Sequence, residues 1–409
     1  MPNEPTPDDP IEVVSPQALS RESSVDMSER EMHGLSLIVC VAIANGYYIQ
    51  PLIAEVGHYF ALPVRLWGLL PALTQLGLAT GLVTLLPLAD TVQPRRMLCI
   101  VLPLQALALL AIPVIPSSYG LFASCFAIGL FGITPYLLPP YASTRVRPKR
   151  LAHVTAVLTR GVIVGILLAR AVSGLIAGSF GWRAVYWTAA ALTIGLLAMA
   201  LGIVRPTTTG QRKSYGSLLL SMIRLARTER KLQIAAFTQA TTFGSFNAFW
   251  VGATLYLSQH FGWSVSAIGL VGLVAAASAA TAPIFARAAN RFGLGRARSG
   301  AMAATLVAWA IFILCRSNIP LMAVGLIVLD VASVTVDISN RTMLYRLAQD
   351  MRSRLNAVYT ISMFVGGSVF SLASGLAYAD AGWLGSCAVG AFAAILGLIV
   401  SLHHGTAEI

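Results

Sequence analysis

Twelve times along the 409 residues, a run of apolar side chains ends in a short polar break. Each run is roughly 20 residues long, enough to cross a ~30 Å hydrocarbon core as helix. The runs fall at about residues 33–57, 66–89, 97–115, 119–142, 151–176, 182–204, 231–257, 264–288, 297–316, 318–342, 355–379 and 382–404. A membrane barrel needs short alternating segments instead, and these runs do not alternate. With 56% hydrophobic and 11% charged residues, there is too little polar surface to wrap a soluble globule of this length. The expected fold is all-α and integral to a bilayer.

The runs are related to one another. GILLARAVSGLIAGSFGWR, from Gly165, is read out again from Gly366 as GGSVFSLASGLAYADAGW. Gly165/Gly366, Ser173/Ser374, Gly174/Gly375, Leu175/Leu376, Gly181/Gly382 and Trp182/Trp383 all stand 201 positions apart. The same offset pairs Phe60 with Phe261 and Gly68 with Gly269, and an offset of 200 pairs Asp90 with Asn290. A parallel duplication of apolar segments is the pattern of secondary transporters built from repeats. The expected organisation is twelve transmembrane helices in two pseudo-symmetric six-helix bundles, over residues 33–204 and 231–404. A disordered tail over 1–32, a polar linker over 205–230 and a short tail over 405–409 complete it.

A net charge of +12 on a soluble chain would point to nucleic acid, but the placement of the charges argues otherwise. Eight of the 16 acidic residues lie in the first 31 positions, and beyond them 26 basic residues stand against 8 acidic ones. The basic residues crowd every second connection: Arg95 and Arg96, Arg145 to Arg150, Arg205 to Lys231, Arg287 to Arg298, and Arg346 to Arg354. The positive-inside bias puts those connections and both termini in the cytoplasm, with the chain spanning the cell's inner membrane. The acidic, proline-bearing start does not read as a signal peptide. The five cysteines lie singly in five different runs, and the sequence holds no HExxH, GxSxG or phosphate-cradling loop. No metal, cofactor or enzymatic chemistry is expected.

Polar groups inside apolar runs are costly unless they face protein or water, so each is a candidate site residue. Run 1 holds Asn45, Tyr47, Tyr48 and Gln50 at mid-depth, run 2 holds Gln75, and run 7 holds Gln239, Asn247 and Trp250. These groups either line a cavity or hydrogen-bond a neighbouring helix. Arg160 in run 5 either faces the same cavity or snorkels to the basic surface, and Arg170 reads as a structural or snorkelling residue. In run 10, Asp330, Asp337 and Arg341 project from nearly one face. Asp337 and Arg341 are spaced as an i, i+4 pair, and the deeper Asp330 is the candidate for proton binding. Gly77/Gly81, Gly161/Gly165 and Gly174/Gly178 are four apart, a spacing that lets helices approach closely.

With these features on the page, the chain resembles the major facilitator superfamily from about residue 33 onward. The resemblance rests on the twelve runs with a longer middle connection, the degenerate loop signature after runs 2 and 8, and GILLARAVSGLIAGSFGWRAVYW in run 5. That stretch, Gln50-Pro51 and SRLNAVYTISMFVGG from Ser353 are similar to bacterial drug-efflux proton antiporters. Of the family's loop signature, Asp90, Arg95 and Arg96 are kept, while Leu86, Thr91 and Gln93 depart from it. The second copy keeps Arg291 and Gly293, with Asn290 in place of the acid. The resemblance implies two halves that rock around a central site lined by runs 1, 4, 7 and 10, with runs 2, 5, 8 and 11 at the seam. The chain is expected to be a monomer, with Asp90, Arg95, Arg96, Arg291, Asp337 and Arg341 as gating or latch residues. Its implied partners are a small-molecule substrate, protons and the lipid bilayer. Proton-coupled efflux of small amphiphilic molecules is the leading expectation. Symport of a small metabolite is the alternative, and a non-transporting sensor a remote one.

Overall fold

A computed structural model describes residues 26–206, 215–279, 293–314, 316–347 and 351–405, except for the side chains of 90, 275–279, 352–353 and 404–405. Run 1 forms two helices, α1 (Glu29–Ala44) and α2 (Ile49–Tyr59). Run 2 forms α3 (Leu69–Thr84), with short 3-10 turns at Val64–Leu66 and Leu86–Asp90, and run 3 forms α4 (Pro94–Val114). Run 4 is split into α5 (Ser118–Leu130) and α6 (Thr134–Ser143), and runs 5 and 6 are α7 (Leu151–Phe180) and α8 (Trp182–Ile203). The linker carries α9 (Tyr215–Thr228). Runs 7 to 10 are α10 (Arg230–Phe261), α11 (Val265–Ala279), α12 (Leu294–Leu314) and α13 (Ile319–Tyr345). Runs 11 and 12 form α14 (Arg352–Gly405), bent at Gly382.

Nine spans among the described residues are long and apolar enough to cross a bilayer. They include α14 as a single span, although its two arms flank the bend at Gly382. The 32-residue α10 falls outside this set because polar side chains interrupt its apolar length. Large apolar side chains such as Leu107, Ile194, Val307, Val369 and Ile399 are more than half exposed on the outer surface, which suits contact with lipid tails.

The break in run 1 has a local cause. Pro51 has no N–H for the Tyr47 carbonyl, and its ring crowds that carbonyl in a regular helix. The Tyr47 carbonyl instead accepts from the Gln50 N–H at 3.1 Å, a three-residue turn. Run 4 is interrupted at residues 131–133, one turn before Pro135. The duplication also persists in the backbone. Ala61 (φ 50°) and Gly262 (φ 63°) end runs 1 and 7, and Gly181 (φ 83°) and Gly382 (φ 60°) turn the corners after runs 5 and 11.

Glycines set the helix contacts. Gly77 and Gly81 lie against the α5 backbone at Phe126 and Leu130, and Gly161 and Gly165 against α1 at Ser36 and Cys40. In the second half, Gly366 lies against α10 at Ala240. Between the halves there are two seams. In one, a Cβ on Gly375 would stand 2.7 Å from the Gly68 Cα; in the other, a Cβ on Gly174 would stand 2.9 Å from the Gly269 Cα.

Helix α1 and its contacts begin before the boundary of run 1. Ser28 caps α1, its hydroxyl accepting from the Glu31 N–H at 3.2 Å while the Glu31 carboxylate accepts from the Ser28 N–H at 2.8 Å. Arg150, before α7, donates to Asp26 at 3.1 Å and to Glu29 at 2.6 Å. Its hydrogen bond holds the Asp26 carboxyl below the usual carboxylate range. Residues 26–32 are therefore held against the connection after run 4. The sequence pattern placed them in a tail because the first turn of α1 is charged.

Candidate functional site

Gln50, in the first turn of α2 just after the break in run 1, joins the two halves. Its Nε2 donates to Asn247 Oδ1 on α10 at 3.3 Å, and its Oε1 accepts from Arg170 Nε on α7 at 2.6 Å. Each of the three is 1% exposed. The Arg170 guanidinium lies 4.2 Å from the Trp250 ring centroid, 5.2 Å from Tyr47 and 5.6 Å from Phe246. A desolvated cation over ring faces is attracted by their quadrupoles, which offsets part of its burial cost. Nη1 reaches back to the Ile166 carbonyl at 3.4 Å. Arg170 Nη2 and Trp250 Nε1 have no hydrogen-bond partner among the described residues. Asp330 on α13, 7% exposed, attracts Arg170 electrostatically from the second half.

This centre is enclosed on two sides. Toward the face away from the basic connections lie the two glycine seams. There the Ser266 hydroxyl donates to the Gly174 carbonyl at 3.1 Å, and an exposed Arg65–Asp380 ion pair joins the halves. Toward the basic face, Phe364 of α14 is met edge-on by Tyr136 of α6 at 6.0 Å and by Phe243 of α10 at 5.7 Å.

The structure brings Tyr47, Gln50, Asn247, Trp250 and Asp330 to this centre or its edge. The other expected cavity residues lie elsewhere. Asn45 donates to Thr193 of α8 at 3.0 Å, inside the first half. Gln75 lines a small, mostly apolar void of that half with Tyr47 and Gln105. Tyr48 is buried in the apolar core. Gln239 is buried on α10 two turns from Asn247, toward the basic end. Arg160, read as facing the cavity or snorkelling to the basic surface, is exposed. Gly161 and Gly165 press α7 against α1 and so turn Arg160 outward. Arg170, read as structural, takes the central position instead. The signal for it was Gly174, four residues on and so about 40° round the helix: a seam glycine marks the face of α7 that meets the other half.

The expected latch residues make contacts within their own halves. Arg341 Nε donates to the Asp337 carboxylate at 3.0 and 2.9 Å and its Nη1 to Asn356 at 2.6 Å, while the Tyr359 hydroxyl donates to Asp337 at 2.8 Å. This ties α13 to the start of α14. Arg95 donates to the Val204 carbonyl at 3.4 Å, and Arg96 is exposed. The Asp90 side chain and Arg291 lie outside the described residues. Gly174 and Gly178 pack at the seam with α11, whereas the other paired glycines pack within the first half.

The comparisons with known proteins agree with this architecture. The family model described as Major Facilitator Superfamily matches twice, over residues 35–238 and 235–405. An uncharacterized transporter of Escherichia coli O157:H7, YgaY, is 32% identical over 368 residues, covering 90% of this chain and 93% of that protein. Among solved structures, a bacterial homolog of the human lysosomal transporter Spinster, inward-facing and unoccupied, superposes with TM-score 0.71 at 16% identity, covering 92% of this chain and 96% of that one. The POT family transporter PepTSo gives TM-score 0.72 at 11% identity, covering 93% and 98%.

Proposed function

Because the chain belongs to the Major Facilitator Superfamily and is a multi-pass membrane transporter of that kind, we propose that it exports small amphiphilic molecules by alternating access, coupled to protons through Asp330. The observation that carries this reading is the enclosed Gln50–Asn247–Arg170 junction, a polar centre held jointly by the two halves. A site that both halves build is reached from one side or the other as they rock. The aromatic rings of Tyr47, Phe246 and Trp250 suit an apolar body. Asp330 supplies a buried carboxylate within the field of Arg170. In this reading the protein works as a monomer of twelve membrane helices in the bacterial inner membrane, with the basic face and both termini in the cytoplasm and without a cofactor. Import of an anionic metabolite by symport is the second reading, and the buried Arg170 favours it.

The test is proton movement across proteoliposomes on addition of amphiphilic compounds and metabolites, with Asp330→Asn beside the wild type. Substrate-triggered proton flux that disappears in the variant is the expected result. Undiminished flux in Asp330→Asn would remove the coupling role. Substrate accumulation on the cytoplasmic side under an inward proton gradient would replace export by import.

A further inference from the structure

Two buried donors at the centre are unmet. Arg170 Nη2 and Trp250 Nε1 lack hydrogen-bond partners among the described residues, on side chains 1% and 2% exposed. They come from different halves, α7 and α10, and the guanidinium carbon stands 4.2 Å from the Trp250 ring. A buried N–H without an acceptor costs free energy, and more so when it belongs to a charged group. Asp330 attracts Arg170 through the field, but that attraction gives neither N–H an acceptor. A water molecule would satisfy a hydrogen without neutralising the charge. A cationic ligand placed against these rings would be repelled by a guanidinium that keeps its proton.

We propose that Arg170 and Trp250 form the head-group subsite for an organic carboxylate, so that the substrate class is a small amphiphilic acid. The inference rests on the transport reading for passage across the membrane, while the binding it describes stands separately. A carboxylate brings one negative charge and two acceptor oxygens, which matches one cation and two open donors. Gln50 already holds Nε, so the guanidinium is oriented before the ligand arrives. The Tyr47 and Phe246 rings beside Arg170 provide apolar surface for the body of such an acid. Because one donor sits on each half, the bound acid bridges them and favours the enclosed state. Arg160, the other arginine within run 5, is exposed and plays no part in it.

The probes are 3-phenylpropionate, 3-phenylpropanamide and 3-phenylpropylamine, which share one apolar body and differ in head group. Their binding to the purified full-length protein is measured by calorimetry for wild type, Arg170→Gln and Trp250→Phe. The acid is expected to bind wild type about tenfold or more tightly than the amide, the scale of a charged hydrogen bond. Arg170→Gln should abolish that preference. Trp250→Phe keeps a ring and removes only the N–H, so it should reduce the acid's affinity several-fold and leave the amide's unchanged. An acid that binds wild type no better than the amide or the amine overturns the proposal, as does a preference that survives in Arg170→Gln. If Arg170→Gln cannot be purified, an unchanged acid-to-amide ratio in Trp250→Phe overturns it. Proton movement on the same preparations separates the two readings. Head-group preference without acid-triggered flux removes the coupling and leaves the subsite standing, and flux triggered by the amine alone does the reverse.

Discussion

Ala61 holds a left-handed backbone (φ 50°) at the turn that ends α2, where its repeat counterpart is Gly262 (φ 63°). A Cβ in that region clashes with the following carbonyl, at a cost of roughly 1–2 kcal/mol, and glycine removes the clash at some cost in chain entropy. Ala61→Gly is expected to stabilise the protein by about 0.5–1 kcal/mol, read as a higher thermal midpoint in detergent. A midpoint at or below wild type would contradict it. At this scale the sequence was partly legible. Gln50, Asn247 and Trp250 stand out as polar or amphipathic groups in apolar runs, and the structure brings them together. The two arginines of run 5 were harder to read. Depth along a helix is visible in a linear pattern, but facing depends on which neighbour the helix packs against. Gly161 and Gly165 seat α7 on α1 and so leave Arg160 outside and Arg170 at the centre.

Among the elements, glycines at helix contacts do two different jobs. Gly77 sits against the α5 backbone within one half, while Gly375 sits against Gly68 across the seam. A backbone contact inside a half is permanent, so a branched side chain at Gly77 forces the bundle apart, with an overpacking cost of about 1–3 kcal/mol or more. In the proposed cycle the seam closes only part of the time, so the same change at Gly375 acts on an equilibrium between states. Gly77→Val should lower the thermal midpoint clearly. Gly375→Val should leave the protein folded and cut transport by about tenfold. Equal effects of the two variants on thermal stability would dispose of the distinction. The helices themselves were legible from the length of the apolar runs. The split of run 1 was not read beforehand, because the Tyr47 carbonyl finds its replacement donor only in the folded turn.

Over the whole molecule, the duplication and the distribution of arginines were enough to anticipate a two-half membrane fold. The resemblance implied that runs 2, 5, 8 and 11 meet across the middle. The two glycine seams join those runs, 2 with 11 and 5 with 8, and the Arg65–Asp380 pair lies at one edge of them. That pair is exposed on both sides and adds little stability by itself. Its position still makes it a handle on the motion. Arg65→Cys with Asp380→Cys, joined by a short bis-maleimide, should lose transport, while the unlinked double variant keeps it. Transport that survives complete cross-linking would refute a moving seam. The seams also have a geometrical property. Gly68 meets Gly375 and Gly174 meets Gly269, and 201 positions separate Gly68 from Gly269 and Gly174 from Gly375, so the members of one pair are the repeat counterparts of the other. This is the self-complementary contact of a two-fold homodimer, in which i touches j and j touches i, here carried on one polypeptide. A rocking motion that keeps this symmetry parts both contacts by the same amount, so in the proposed cycle the two seams open and close as one.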